Sequence, residues 1–285
     1  MLASRPKTLA GAMVPVIMGV ALALHDSMFA FRLLPALLCL FFALIMQIDA
    51  NFVNDYFDWR HGNDDAYTRL GPLRACSMGW VTPKAMLAAI AVTTALACMT
   101  GFPLIFYGGV KMILIGILCV VFCILYTTTL SYMGLGDLLV LVFFGVVPVC
   151  ITYYIQTDYV SSDVFFISLA CGLAIDNLLI LNNYRDIDND RRDGKRTLIV
   201  LIGRKNGRTL YLLLGIIAAL IMAKHDDFSL RSFIMLIYLL PHFLTYRQMC
   251  RLEGRALNKV LGMTARNIIL FGLASSMLIL MQPTP

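Results

Sequence analysis

The sequence predicts an all-α integral membrane protein, about nine transmembrane helices bundled around a central cavity with a polar cap on the cytoplasmic side. Three observations lead there. Of 285 residues 60% are hydrophobic and 14% charged, with a mean hydropathy of +0.80, whereas soluble domains carry about 25% charged residues. Predominantly apolar windows of near-spanning length recur at 8–24, 33–53, 85–107, 110–130, 135–156, 164–184, 208–223, 232–246 and 265–281. Two Asp-rich polar stretches, Asn51 to Asp58 and Asn182 to Asp190, begin where the second and sixth windows end. A single domain over 1–285 is expected, because no low-complexity or Pro/Gly-rich linker divides the chain.

Taken in order, the first window follows Arg5-Pro6-Lys7 without a small-residue cleavage site, so it is expected to remain as a span. If the second continues as a helix, Asn51, Asn54, Asp55 and Asp58 stand at i, i+3, i+4 and i+7 and form one stripe. In the sixth, Asn183, Asp186 and Asp190 share a face in the same way, beside Asn182. Asp49 and Asp176 fall inside the second and sixth windows, where interhelical hydrogen bonding is favoured over a wet cavity. His242 follows Pro241 in the eighth window, which predicts a kink with a locally satisfied imidazole rather than a ligand. The eight Cys form no CxxC pair and lie mostly in apolar windows, so neither disulfides nor a zinc site is expected.

Nine spans place the two ends of the chain on opposite sides. With the first residues in the cytoplasm, every Lys and Arg except Arg32, Lys111, Lys224 and Arg231 faces that side, a strong positive-inside bias. The net charge of +6 arises in these loops and is read as topology and contact with anionic lipid, not nucleic acid. Both Asp stretches then lie at the cytoplasmic face, because the helices before them run in the same direction. They can share one site.

Carboxylates clustered with amide oxygens are hard oxygen donors suited to Mg²⁺, which takes one or two carboxylates and leaves its other positions to water and phosphate. A carboxylate at the bilayer centre costs ~2.5–3.5 kcal/mol on insertion scales, less near the interface. One such stripe can be a solvated helix end; two facing the same compartment point to a function. Arg69 and Arg74 follow the first stretch, Lys195 and Arg196 the second. Guanidinium forks and ammonium groups match phosphate oxygens, so acids and cations together describe a clamp for a metal-bound diphosphate. Tyr126, Tyr153 and Tyr154 are candidates for the cavity wall, where their π faces attract a cation, although interfacial Tyr is common in membrane proteins.

The ordered set of segments resembles the UbiA superfamily of intramembrane prenyltransferases, and within it the branch that acts on 1,4-dihydroxy-2-naphthoate in menaquinone synthesis. The resemblance is carried by Arg5-Pro-Lys-Thr-Leu9, Asn54-Asp-Tyr-Phe-Asp58 with Gly62-x-Asp64 and Gly71-Pro72-x-Arg74, Gly134-Leu-Gly136, Phe143-Phe-Gly145, Thr152-Tyr-Tyr-x-Gln156, and Asn182-Asn-x-Arg-Asp-Ile187 with Asp190 and Gly194-Lys-Arg-Thr-Leu198. It implies a bacterial cytoplasmic-membrane enzyme that moves a polyprenyl group from its diphosphate to the naphthoate with loss of carbon dioxide. Asp55, Asp58, Asp186 and Asp190 would be catalytic and, with Asn54, hold Mg²⁺. Asn51, Lys7, Arg69, Arg74, Lys195 and Arg196 would bind diphosphate, and Asn182 and Asn183 would line the cavity with the tyrosines. The sequence departs from the pattern at Gly62, where the superfamily often has Asp, at Asp137 in place of Glu, and at Tyr126 to Leu130, which lacks Gly-Gly-Pro. Two alternatives remain: another aromatic acceptor such as 4-hydroxybenzoate, and a transporter of a divalent cation or phosphorylated solute.

Overall fold

The computed structural model describes residues 3, 5–27, 30–62 and 69–283, and for Lys7 the backbone alone. Among the described residues all regular structure is helical. Nine helices follow one another: α1 (Leu9–Asp26), α2 (Leu33–Arg60), α3 (Pro83–Gly108), α4 (Lys111–Leu130), α5 (Gly136–Thr157), α6 (Ser162–Arg192), α7 (Leu198–His225), α8 (Leu236–Arg251) and α9 (Leu257–Leu280). Eight are long and apolar enough to cross a membrane. The exception, α8, is lengthened at its start by the 3₁₀ turn Leu230–Met235.

Every apolar window has its helix, but several helices outrun their windows. Hydropathy sees the part of a helix that lies in hydrocarbon, so α2, α6 and α9 continue where the sequence turns polar, to Arg60, to Arg192 and back to Leu257. Continuity matters most in α2 and α6, since the acid motifs ride on rigid helix ends instead of loops. Short polar side chains start some of these helices: Thr82 accepts from Ala85 N at 3.2 Å and Ser161 from Val164 N at 3.2 Å. In α7, Gly203 has φ 80° and ψ 167°, which breaks off a first helical segment that Thr197 caps.

Burial sorts the bundle. In α1, α6 and α9 more than 60% of the spanning window is buried, against 11% in α3 and 6% in α4. The core lies among α1, α5, α6, α7, α8 and α9, where Met18, Tyr153, Ile167, Met222, Tyr238 and Phe271 pack together. Helices α5 and α6 approach backbone to backbone: a Cβ on Gly145 would lie 2.6 Å from Ser168 O, and one on Gly172 would lie 2.9 Å from Leu141 O. Small residues permit such contact in membranes. The turn Leu141–Val146 widens to a π-helix just before Pro148, which has no N–H to give the preceding turn.

Two polar contacts inside the bundle hold helices together. Asp49 of α2 accepts from the hydroxyls of Thr93 (2.5 Å) and Thr94 (3.0 Å) on α3. His242 is stacked between Tyr211 and Tyr238, with Nε2 3.3 Å from Leu212 O. The Asp49 contact is the interhelical bond expected of it and the His242 imidazole is satisfied locally as expected, whereas Asp176 Oδ1 is buried without a hydrogen-bond partner; the eight Cys are all free thiols.

Candidate active site

The last two turns of α2 carry the first motif on one face, as its spacing requires, and bury Asn51, Asp55 and Asp58 to 4%, 1% and 5% exposure. Each then does something different. Asn51 donates to Thr8 Oγ1 at 3.0 Å and ties the N-terminal turn to α2. Asp55 turns away from the cavity: its two oxygens accept from Ala75 N and Cys76 N, both at 2.9 Å, and fix the loop after α2. Asp58 faces the cavity, hydrogen-bonded to Arg74 and with Lys195 Nζ at 3.6 Å. Asn54 lines the same cavity.

The end of α6 supplies the second half. Asn182, Asn183, Asp186, Asn189 and Asp190 all line the cavity along one helical stripe. Arg185, 2% exposed, turns back onto Asp186: Nε donates to Oδ1 at 2.8 Å and Nη2 to Oδ2 at 2.5 Å, with Nη2 also 2.7 Å from Asn182 Oδ1. Cations close the ring. Lys195 lies over the ring of Tyr132 at 5.1 Å. Burial alone would lower the pKa of Lys195, but Asp58, Tyr132 and Asp190 raise it above the usual lysine value, so it stays charged. Arg5, Arg69 and Arg74 also line this wall. Burial pulls the Arg5 guanidinium below its ordinary pKa, only partly offset by Asp58 and Asp55, and its Nη2 is buried without a hydrogen-bond partner.

These groups form the mouth of a cavity of about 860 Å³ that continues down between α1, α2, α4, α5 and α6 with an apolar lining that includes Met46, Phe122, Phe143, Ile151 and Leu179. Tyr126 lies on this wall. Phe102, Ile113 and Ile117 line the cavity and are 62%, 47% and 55% exposed, on α3 and α4, the two least buried spans. A charged mouth above a greasy chamber suits an anion with a long hydrocarbon tail.

Several expectations from sequence need correction. Tyr153 is fully buried in the core and donates to Asp26 Oδ2 at 2.5 Å, at the opposite end of the molecule from the acids. Tyr154 lies under Lys111 Nζ at 5.4 Å and packs beside Leu104 and Met112, which line the cavity where Tyr154 does not. Arg196 is exposed and contributes its backbone N–H to Tyr132 O at 3.1 Å, not its side chain to the site. Asp55 is a loop anchor and does not line the cavity. The Lys7 side chain and Asp64 lie outside the described residues. Conversely Arg5, Arg185 and Asn258 are brought to the site without having been singled out. Arg5 and Arg185 stood inside quoted motifs as ordinary topology cations, and Asn258 had no local signal.

Among the described residues no three His, Cys, Asp or Glu close into a metal cage. The donors at the mouth are nevertheless all hard oxygens, carboxylates of Asp58, Asp186 and Asp190 with the amides of Asn54, Asn183 and Asn189. That set fits Mg²⁺ held partly by protein and partly by phosphate and water.

Fold and site define a helical membrane protein with a charged, oxygen-rich mouth above an apolar chamber. The chain belongs to the UbiA prenyltransferase family, whose model matches residues 12–272. It is 34% identical to the 1,4-dihydroxy-2-naphthoate octaprenyltransferase of Escherichia coli, over 94% of this chain and 91% of that one. It is 36% identical to the protein of the same name from Haemophilus influenzae, over 76% of this chain and 73% of that one. Two solved structures share the fold: an apo UbiA homolog from Aeropyrum pernix (TM-score 0.73, 16% identity, 95% of this chain and 97% of that one) and a UbiA homolog from Archaeoglobus fulgidus bound to GPP and Mg²⁺ (TM-score 0.66, 13% identity, 97% and 98%).

Proposed function

We propose that the protein transfers a polyprenyl group from polyprenyl diphosphate to 1,4-dihydroxy-2-naphthoate, with loss of the acceptor carboxyl as carbon dioxide, to give demethylmenaquinol. The observation that carries the reading is the pairing of a cation- and acid-lined mouth with an apolar chamber walled by the thinly covered helices α3 and α4. The acceptor is named from the relatives. A solute transporter would need a polar route to the far side. Here the cavity continues toward the connection between α3 and α4, but its lining there, Phe102, Leu104, Ile105, Met112 and Ile113, is apolar.

In this reading the diphosphate lies among Arg5, Arg69, Arg74 and Lys195, with the prenyl chain running down past Phe122 and Phe143 toward α3 and α4. Asp58, Asp186 and Asp190, helped by Asn54, Asn183 and Asn189, would hold Mg²⁺, which when bound neutralises the leaving diphosphate as a Lewis acid. The cations take up the charge that develops on the bridging oxygen as the C1–O bond breaks, and because helices α2 and α6 fix their partners, little reorganisation is needed. The apolar wall, with the Tyr126 ring on it, excludes water from the allylic cation. The naphthol ring attacks C1 through the ring carbon bearing the carboxylate, which becomes tetrahedral as the C1–O bond breaks; the carboxylate then leaves that carbon as carbon dioxide, and the electrons of the broken C–C bond restore the aromatic ring. The acid motifs, the basic loops and the first residues of the chain face the cytoplasm of the bacterial inner membrane in this proposal.

The test is purified protein in detergent with octaprenyl diphosphate and equal naphthoate and 4-hydroxybenzoate, the naphthoate labelled with ¹³C at its carboxyl. Labelled carbon dioxide released in step with prenylated naphthol is expected, with EDTA stopping the reaction and Mg²⁺ restoring it. Turnover of 4-hydroxybenzoate alone, or a product that keeps its carboxyl, overturns the acceptor assignment.

A further inference from the structure

We propose that Asn258, on the first turn of α9, is a positioning residue that holds the Arg69-to-Pro72 segment over the site and keeps Arg185 aimed at Asp186. Its side-chain amide is used at both ends. Oδ1 accepts from Arg185 Nη1 at 2.8 Å, and Nδ2 donates to Leu70 O at 2.8 Å, across 188 residues of sequence. The orientation of the amide is not open to choice, because a guanidinium only donates and a carbonyl only accepts. Asn is therefore suited to this position in a way that Asp, Leu and Ala are not.

The segment it holds carries Arg69 and leads directly into Arg74, and both line the cavity mouth. Its far end is fixed separately, by Asp55 on the amides of residues 75 and 76. Its near end depends on α9, through Asn258 and through Arg255 Nη2, 3.3 Å from Arg69 O. The loop also runs directly over Arg185: a Cβ on Gly71 would lie 2.8 Å from Arg185 Nη2 and 3.2 Å from Cζ. Glycine at 71 thus lets the loop settle against the guanidinium that Asn258 steadies. One amide couples three parts of the molecule distant in sequence: the basic loop after α2, the second acid motif on α6, and α9. Through Arg185 it fixes the direction of Asp186, and through Leu70 the distance of the basic loop from that acid. The inference rests on reading the mouth as a diphosphate site.

The experiment compares Asn258→Ala and Asn258→Asp, with Gly71→Ala as a variant that lifts the loop without touching α9. One readout needs no substrate: alkylation of Cys76 by N-ethylmaleimide, followed by peptide mass mapping. Cys76 is 5% exposed at the far end of this loop, packed with Phe52, Tyr56 and Val81, so its access reports movement of the loop as a whole. The other is steady-state kinetics. All three variants should speed Cys76 alkylation several-fold and raise KM for the prenyl diphosphate ~10-fold, the loss of one charge-assisted contact, while KM for the acceptor changes less than about twofold. Asn258→Ala and Gly71→Ala should also lower kcat, the first by releasing Arg185 and the second by pressing on it, whereas Asn258→Asp should not, because Asp at 258 still accepts from Arg185. Unchanged Cys76 alkylation and diphosphate KM in folded Asn258→Ala overturns the proposal, as does an equal rise in both KM values, which marks general loosening. If Asn258→Ala does not fold, Gly71→Ala and Asn258→Asp decide by the same signature. If the acceptor assignment fails, Cys76 alkylation still reports on the latch, so the two failures are separable.

Discussion

Arg5 offers the sharpest test of the site, because its removal should move stability and substrate binding in opposite directions. The residue sits at φ 46°, ψ 72° before the turn Pro6–Thr8, and the structure buries its Nη2 without a partner. Its pKa is lowered by burial despite the pull of Asp58 and Asp55. A cation whose folded pKa lies below its unfolded value weakens folding wherever it is charged, which includes neutral pH. Arg5→Met keeps the length of the stem and removes the charge. Relieving one buried unsatisfied donor is worth ~1 kcal/mol or more, a rise of ~2–4 °C in Tm for a chain of this size, read by thermal unfolding in detergent without substrate. With substrate, the same change removes a charge-assisted contact worth ~1.5–3 kcal/mol, an increase of ~10- to 150-fold in KM for the prenyl diphosphate. An Arg5→Met protein that is less stable without substrate, or that keeps its diphosphate KM, would show that Arg5 is a packing residue.

Asp58→Asn should lower kcat/KM by ~10²- to 10³-fold while the protein remains inserted, since it strips Arg74 and Lys195 of their shared anion; near-wild-type turnover at saturating Mg²⁺ counts against the site. Gly172→Leu places side-chain atoms where Leu141 O already lies within 2.9 Å of a Cβ, and overpacking of this kind costs ~1–3 kcal/mol or more, read as a drop in detergent Tm with no selective change in either KM. Burial, reinforced by Asp55, pushes the Cys76 thiol up to about 12; its alkylation should be slow at pH 8 and accelerate as pH rises, and fast reaction at pH 8 refutes that environment. Cysteines placed at Asn206 and Val160 should be labelled by a membrane-impermeant reagent from the cytoplasm and from outside respectively, and labelling of both from one side refutes the proposed orientation.

The helices were legible because each needs a long apolar window, and every one of the nine windows corresponds to a helix. The two acid motifs were legible for a different reason: spacing of three and four residues places side chains on one face if the helix continues, and α2 and α6 do continue through them. The division of labour within a motif was not legible. Asp55 and Asp58 are equivalent as text, and only the path of the loop after α2 decides that Asp55 meets two backbone amides while Asp58 meets the cavity. Tyr153 and Tyr154 were misread because aromatic type says nothing about depth; α5 carries them to the end opposite the acids. Asn258 was invisible, since its partners are a carbonyl in the loop after α2 and an arginine on α6.

Charge pairing at the mouth explains how so many ionised groups coexist beside an apolar chamber. Two of the cavity-facing acids are answered by protein cations, Asp58 by Arg74 and Lys195 and Asp186 by Arg185. A buried carboxylate without a partner would cost several kcal/mol. In the proposed reading, arrival of a diphosphate means exchange of partners more than desolvation of bare charges: Arg74 and Lys195 would turn from Asp58 to phosphate oxygens, which would free that carboxylate as an oxygen donor. Arg185 is different. It is held by Asn182 and Asn258 as well as by Asp186, so it keeps its place when the other cations move. The mouth therefore combines cations able to change partners with one fixed by three, and this difference predicts that Arg185→Lys, which loses the planar fork, should damage the alignment of Asp186 and hence kcat, while Lys195→Arg should act chiefly on the diphosphate KM. Equal effects of the two substitutions on both parameters would refute that division.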